Sequence, residues 1–279
     1  MTRLALLFLA LLPAVTVLSA ADPEPLRIAT FNIRITVDKA PNDWKSRSPR
    51  VCKIITDNDF HLFGVQEAFH PKQIKDLQKI PGYAAFNGGN KKIGTARRDT
   101  IFYKTDRLEL LDQGVFMLSE TPDVPKSKGW DAYQERMAVW GKFRDKVTGR
   151  VFIHYNTHLD NKGTAARLNS IKLIRSHAKE NAAGVPVILS GDFNARPDSD
   201  VYREAAAEWK DAFKATEKEP AGTFWTLNKY SLAERPGTRI DYIFVTPGTR
   251  VLSYCVINTL IDNQFPSDHY PVMAEIIME

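Results

Sequence analysis

A chain of 279 residues, 43% hydrophobic and 25% charged, has the balance of a soluble globular protein with room for one large core or two small ones. Its formal charge of +5 suits an anionic ligand, but the basic residues are scattered, and the densest runs, GNKKIGTARRD and VPKSKGW, read as solvated loops. Two cysteines, Cys52 and Cys255, with no Cys-x-x-Cys pair, exclude a structural zinc knot.

The first segment reads as a secretory signal peptide over residues 1–21: one Arg, an apolar run from Leu4 to Leu18 broken by Pro13 and Thr16, then small residues up to Ala21. That run is shorter than the ~20 residues of a spanning helix, and no second one follows. The expectation is a secreted or periplasmic protein with no stable membrane insertion once the leader is removed. An oxidising compartment allows a Cys52–Cys255 disulfide, which spacing in the sequence does not decide.

Further along, LRIATFNIR is a strand carrying Asn32 at its end, and a polar loop leads to an amphipathic helix around RVCKIITD. HLFGVQE is a buried strand ending on Glu67. Helix PKQIKDLQKI and strands YAAFN, TIFYK and LELLDQGVFM follow, and MAVWGKF and RVFIHYNTHLD flank the turn DKVTG as a hairpin. The long helix TAARLNSIKLIRSHAKENA runs through Gly184 into the apolar strand VPVILSGDFNA. Helix DVYREAAAEW, strands RIDYIFV and RVLSYCVI across PGT, and a last strand YPVMAEIIM complete the chain. Strand–helix–strand units mixed with hairpins imply mixed sheets covered by helices, an α/β (α+β) fold, and without a linker residues 22–279 read as a single domain.

The polar residues able to do chemistry fall at strand C-terminal ends or just beyond: Asn32, Glu67, His158 with Asp160, and Asp192 with Asn194. In packed α/β folds ligands bind at that edge, because loops converge there without burying unpaired backbone. Alternation along IHYNTHLD places His154, Asn156, His158 and Asp160 on one strand face, which calls for solvent or a site. The spacing of His154 and His158 imitates the helical zinc pair, but no Glu adjoins His154 and this β-branched, aromatic run is a poor helix, so zinc is disfavoured.

TFNIR, GVQE, NTHLD, GDFNA, RIDYIFV and PSDHYPV, in this order along the chain, resemble the endonuclease/exonuclease/phosphatase superfamily, whose members include deoxyribonuclease I, exported sphingomyelinases and inositol polyphosphate phosphatases. The resemblance implies a deoxyribonuclease I-like four-layer sandwich of two packed mixed β-sheets flanked by helices. It implies a divalent cation, Mg2+ or Mn2+, at positions matching Asn32, Glu67 and Asp268, all oxygen donors suited to a hard ion. It implies that His269 is a general base or electrostatic partner oriented by Asp241; a carboxylate on one ring nitrogen fixes the tautomer of an imidazole whose ordinary pKa is ~6.5. His158 matches a histidine that contacts phosphate or leaving group, and Asp192 and Asn194 match residues that position the attacking water and bind non-bridging oxygens. Asp99 is the candidate support for His158, unless a shifted strand brings Arg97 there. Arg136, Arg167 and Arg239 are candidate phosphate clamps, each readable equally as a salt-bridge partner.

The resulting expectation is an exported, metal-dependent phosphoester hydrolase using in-line attack by an activated water. Export, positive charge and the histidine pair put a phosphodiesterase or nuclease first, with a phosphoester substrate, nucleic acid among the options, and a monomeric state. A phosphomonoesterase or a sphingomyelinase-like phospholipid-headgroup phosphodiesterase is the alternative, although no exposed aromatic hairpin suited to a membrane surface is evident. The inositol phosphatase branch reads PAWCDR where this chain has RIDYIFV, which counts against that substrate. A catalytically silent module that binds a phosphate ligand is the reading from another class.

Overall fold

The computed structural model describes residues 24–88, 99–231 and 237–278. The leader read at residues 1–21 and the alternative Arg97 lie outside the described residues. In chain order the elements are β1 (Leu26–Asn32), α1 (Trp44–Asp57), β2 (Leu62–Gln66), α2 (Pro71–Leu77), β3 (Tyr83–Phe86), β4 (Thr100–Lys104) and β5 (Leu108–Met117). They continue with β6 (Met137–Asp145), β7 (Val151–His158), α3 (Thr164–Ala182), β8 (Val187–Asp192), α4 (Asp200–Ala206), β9 (Lys210–Asp211) and α5 (Ala212–Ala215). The last are β10 (Ala221–Gly222), β11 (Asp241–Val245), β12 (Arg250–Val256) and β13 (Val272–Ile277).

The strands form a 7-stranded sheet ordered β10-β12-β13-β1-β2-β4-β3 and a 6-stranded sheet ordered β5-β6-β7-β8-β11-β9. Both are mixed: β1 runs parallel to β2 but antiparallel to β13, and β7 runs parallel to β8 but antiparallel to β6. Alternation along each strand separates the layers. Ile28, Leu62, Phe152 and Ile188 face inward and join the two sheets in one apolar cluster. Ala29, Phe31, Phe63 and Val65 face outward under Val51 and Ile54 of α1 and Leu77 of α2. On the opposite side Ile153, Tyr155, Leu189 and Tyr242 pack under Ile171 and Ile174 of α3 and Val201 and Tyr202 of α4. The result is the expected four-layer sandwich. No helix among the described residues is long and apolar enough to cross a membrane.

Helix α1 starts at Trp44, a turn and a half before the segment whose periodicity is visible, and carries Pro49 inside it. Pro49 removes one hydrogen bond, to the carbonyl of the exposed Lys45, which water can satisfy. β9, α5 and β10 are too short to show a period. Cys52 on α1 and Cys255 on β12 are free thiols, both half-buried against the same outer apolar cluster.

The polar face of β7 meets neither solvent nor, over most of its length, a site. It is a polar seam between the two sheets. His154 Nε2 is 2.8 Å from Ser190 Oγ, and burial pushes the ring down to about 3, so it is a neutral core histidine rather than half of a zinc pair. Asn156 Nδ2 donates to Val65 O at 3.0 Å and Thr100 O at 3.3 Å, and its Oδ1 accepts from Gln66 Nε2 at 2.7 Å. Gly64 makes room for this bridge, since a Cβ there would sit 2.3 Å from Asn156 Oδ1.

Candidate active site

Parallel pairing of β7 with β8 sets His158 beside Asp192, and antiparallel pairing of β11 with β8 sets Asp241 on its other side. Gly191 permits the first pairing: at φ 145° its Cβ would lie 1.9 Å from Thr157 O. From the facing sheet, β1 and β2 end on Asn32 and Gln66, and the chain turns sharply at Glu67, which adopts φ 63°. Arg34 and Asn194 also adopt left-handed conformations, at φ 58° and 47°. Strained backbone of this kind collects where a site dictates the geometry.

Asn32 joins the sheets: its Nδ2 donates to Asp192 Oδ2 at 3.0 Å and lies 3.4 Å from Glu67 Oε1. Glu67 Oε2 accepts from Ile35 N at 3.0 Å. His269 Nδ1 is 2.9 Å from Asp241 Oδ2, while its Nε2 faces Asp192 Oδ2 at 3.8 Å. His158 Nε2 approaches the same Asp192 oxygen at 3.4 Å and lies 3.0 Å from Asn194 Nδ2, whose backbone N–H donates to Asp192 Oδ1 at 2.9 Å. Asp268 stands at the rim, its Oδ2 3.6 Å from Arg34 Nη1.

Burial works against the His269 imidazolium, yet the Asp241 carboxylate on Nδ1, helped by Asp192 and Asp268, outweighs it and raises the ring to about 10. Burial and then the Asp241 charge push Asp192 up to about 7. Burial likewise raises Asp268, against the pull of His269 and Arg34. The site thus gathers more carboxylate than its nearby cations offset. Asp192, Asp241 and His269 each offer a ligand atom within 4.8 Å of one another, the group among the described residues that could share an ion.

Asn32, Glu67, His158, Asp192, Asn194, Asp241, His269 and Asp268 are therefore neighbours although drawn from the whole length of the chain. Asp99 is buried one residue before Thr100, which pairs with Val65 near the same strand ends. Each of the three candidate clamps has a partner within the fold. Arg239 forms a bidentate pair with Asp211, at 3.0 and 2.6 Å, between the rings of Phe213 and Tyr242. Arg136 faces Asp160 at 3.6 Å, and Arg167 donates to Asp160 O at 2.9 Å and to Thr164 Oγ1 at 3.1 Å. Asp160 itself ties the loop together: backbone N–H groups of Gly163, Gln134 and Lys162 overcome its burial and hold it at about 2.

A family model described as the Endonuclease/Exonuclease/phosphatase family matches residues 29–269. The chain belongs to that family. Members of the endonuclease/exonuclease/phosphatase family are phosphoester hydrolases, generally dependent on a divalent metal. A solved family structure from Bacteroides vulgatus is 35% identical, with 91% of this chain and 99% of that one covered and a TM-score of 0.84. The mannosyl-6-phosphatase of Bacteroides thetaiotaomicron is 33% identical, with 91% and 100% covered and a TM-score of 0.81. Nocturnin of Drosophila melanogaster is 25% identical over 284 residues, which take in 83% of this chain but only 42% of that protein's length.

Sequence reasoning missed Arg34, although it closes TFNIR, because the strand pattern runs on past Asn32 where the backbone turns out of β1. It also missed the brace behind PSDH. Thr226 Oγ1 accepts from Ile240 and Asp241 N at 3.1 Å each, and Asn228 and Lys229 N donate to Asp268 O. No local pattern marks that segment; only its pairing of Leu227 with His269 reveals it.

Proposed function

We propose that this protein is an exported, metal-dependent phosphoester hydrolase whose first substrate class is a sugar phosphomonoester. The observation that carries the hydrolase reading is the convergence of Asn32, Glu67, Asp192, Asp241 and His269 on one cleft at the strand ends. The choice of a sugar monoester draws support from the mannosyl-6-phosphatase to which nearly the whole chain is similar. Export draws support from the leader-like residues 1–21.

The residues present fit a hard divalent cation. Carboxylate oxygens of Glu67 and Asp192 meet at the Asn32 amide, Asp192 is raised by burial and by Asp241, and Asp241 Oδ1 is buried with no hydrogen-bond partner. We assign Mg2+ or Mn2+ to Asn32 and Glu67, with Asp268 close enough to feel the Glu67 charge, rather than to the Asp192–Asp241–His269 group, because His269, held protonated by Asp241, has no lone pair to offer an ion. When bound, the ion polarises the phosphoryl group and offsets charge on the leaving oxygen.

The protein's own groups then divide the work. Asp241 keeps His269 protonated at neutral pH, so Asp192, which burial and Asp241 raise to about 7, is the group that takes the proton of the attacking water. The His269 imidazolium donates from Nε2 to the phosphoryl oxygens as charge develops there. Asn194 and His158 line the opposite side of Asp192, with Asn194 Nδ2 bridging Leu159 O and His158 Nε2 and so orienting the ring toward the remaining oxygens or the leaving group. Arg34, between Asp38 and Asp268 at the rim, adds a positive charge to the mouth.

A second reading, a phosphodiesterase acting on nucleic acid, is favoured by the net charge of +5. Purified protein assayed with Mg2+ or Mn2+ on mannose 6-phosphate, p-nitrophenyl phosphate, bis-p-nitrophenyl phosphate and single-stranded DNA separates the readings. Phosphate release from the monoesters is the expected result. Cleavage of only the diesters moves the protein to the second reading, and absence of turnover on every ester removes the hydrolase proposal.

A further inference from the structure

Arg47, on α1, is a fully buried arginine whose partners are not carboxylates. It makes five hydrogen bonds, all to main-chain carbonyl oxygens: Asn42 at 2.6 Å, Ile33 at 2.7 Å, Pro266 at 3.1 Å, Arg34 at 3.2 Å and Ile35 at 3.1 Å. These use every N–H that a guanidinium has. Burying a charge is costly, and an interior needing only a bolt between loops has neutral side chains for the purpose.

The peptide planes it grips explain the choice. The plane between Ile33 and Arg34 gives its oxygen to Arg47 Nη1 and its N–H to Asn32 Oδ1, at 3.0 Å. The plane between Arg34 and Ile35 gives its oxygen to Arg47 Nη2 and its N–H to Glu67 Oε2, at 3.0 Å. Arg47 therefore holds the oxygen end of the two peptides whose nitrogen ends hold Asn32 and Glu67. Its bond to Pro266 O ties in the segment that carries Asp268 and His269, and Ser267 Oγ closes the loop by donating to Asn32 O at 2.7 Å. A cation at the carbonyl end polarises each peptide and strengthens its N–H as a donor.

We infer that Arg47 is a positioning residue for the cation site: through two peptide planes it sets the orientation of Asn32 and Glu67, and through Pro266 it fixes the distance of Asp268 from them. The inference rests on the assignment of the cation to Asn32 and Glu67 made above. Lysine does not replace it, because an ammonium has fewer donors and no planar fork to span both peptides. Gln73 Nε2 also donates to Arg34 O, at 2.8 Å, so it supports one of the two planes and its loss is expected to have a smaller effect of the same kind.

The test uses the metal-free full-length protein, with Mn2+ binding followed by electron paramagnetic resonance of the free ion and folding followed by circular dichroism. Arg47→Lys and Arg47→Gln are expected to weaken Mn2+ binding about ten- to hundredfold while keeping the native spectrum, as loss of groups that orient metal ligands does. Gln73→Met is expected to weaken it by a factor of about three to ten on the same scale. A folded Arg47→Lys with wild-type Mn2+ affinity overturns the inference. If both Arg47 variants unfold, wild-type affinity in Gln73→Met overturns it instead. Wild-type protein that binds no Mn2+ refutes the cation assignment itself, an outcome distinct from either.

Discussion

The two ends of the seam between the sheets make an instructive pair. In its closed part His154, Asn156 and Gln66 are wholly buried and bonded to neutral partners: Ser190 for His154, the carbonyls of Val65 and Thr100 for Asn156, and Thr30 Oγ1 and Asn156 Oδ1 for Gln66. At its open end, two residues further along β7 and at the end of β8, residues of the same types crowd around Asp192 with more than one neighbour each. The closed part spends its polarity on holding two sheets in register. The open end keeps carboxylates raised and a histidine charged, which is how groups poised for proton transfer differ from neutral core polar groups.

The comparison fails if both ends respond alike to mutation. At the open end, Asp192→Ala, His269→Ala or Glu67→Ala is expected to lower turnover at least about a hundredfold, roughly 3–4 kcal/mol of transition-state stabilisation, with little change in the thermal unfolding midpoint. Near-normal rates in purified, folded Asp192→Ala and His269→Ala would remove the assignment. Chelation is expected to abolish turnover, with recovery on adding Mg2+ or Mn2+ and no loss of native circular dichroism; activity indifferent to chelator would place the chemistry outside the proposed cation site.

In the closed part the expected effects fall on stability. Asn156→Leu removes the amide bonds to two carbonyls and one of the partners of Gln66, and is expected to cost about 2–3 kcal/mol in urea unfolding. Turnover per folded molecule should change much less than in the open-end variants. The pH dependence sharpens the contrast further. His154 ionises near ~6.5 when unfolded but is pushed to about 3 by burial, so the unfolded chain binds the extra proton between those values. Its contribution is intact above the unfolded pKa and is lost as pH falls through that window, by at most about 1.4 kcal/mol per pH unit. Urea midpoints of wild type and His154→Asn at pH 7 and pH 5 measure this, with a shallower loss expected in the variant; parallel losses would mean that His154 is not a neutral core group.

Much of this architecture was legible because its signals are local. Apolar runs and alternation located the long strands, and Asn32, Glu67 and Asp192 fell at their ends, where a site forms. The order of motifs then pointed to the family. Substrate class was not legible: the sequence reading put a phosphodiester first, and the proposal now rests on similarity to a mannosyl-6-phosphatase. The arginines were legible least. Arg239, Arg136 and Arg167 were candidates because guanidinium suits phosphate, but what each one meets depends on Asp211 or Asp160, residues distant in sequence or across a loop. Arg34 and Arg47 showed no such promise, since only the turn after Asn32 brings one to Asp268 and the other beneath both peptides.

From its residues alone this chain declared its longer strands and helices, their order, and which acids, amides and histidines stand at their ends, because side-chain periodicity and turn chemistry act over a few residues. Folding decided the rest: that His154 and Asn156 are sealed while His158 remains at the cleft, that Arg239 leaves the site for Asp211, and that a buried Arg47 grips both site loops. Those outcomes depend on where strands stop and which distant segment packs against them, and such distances exist only once the two sheets have closed on each other.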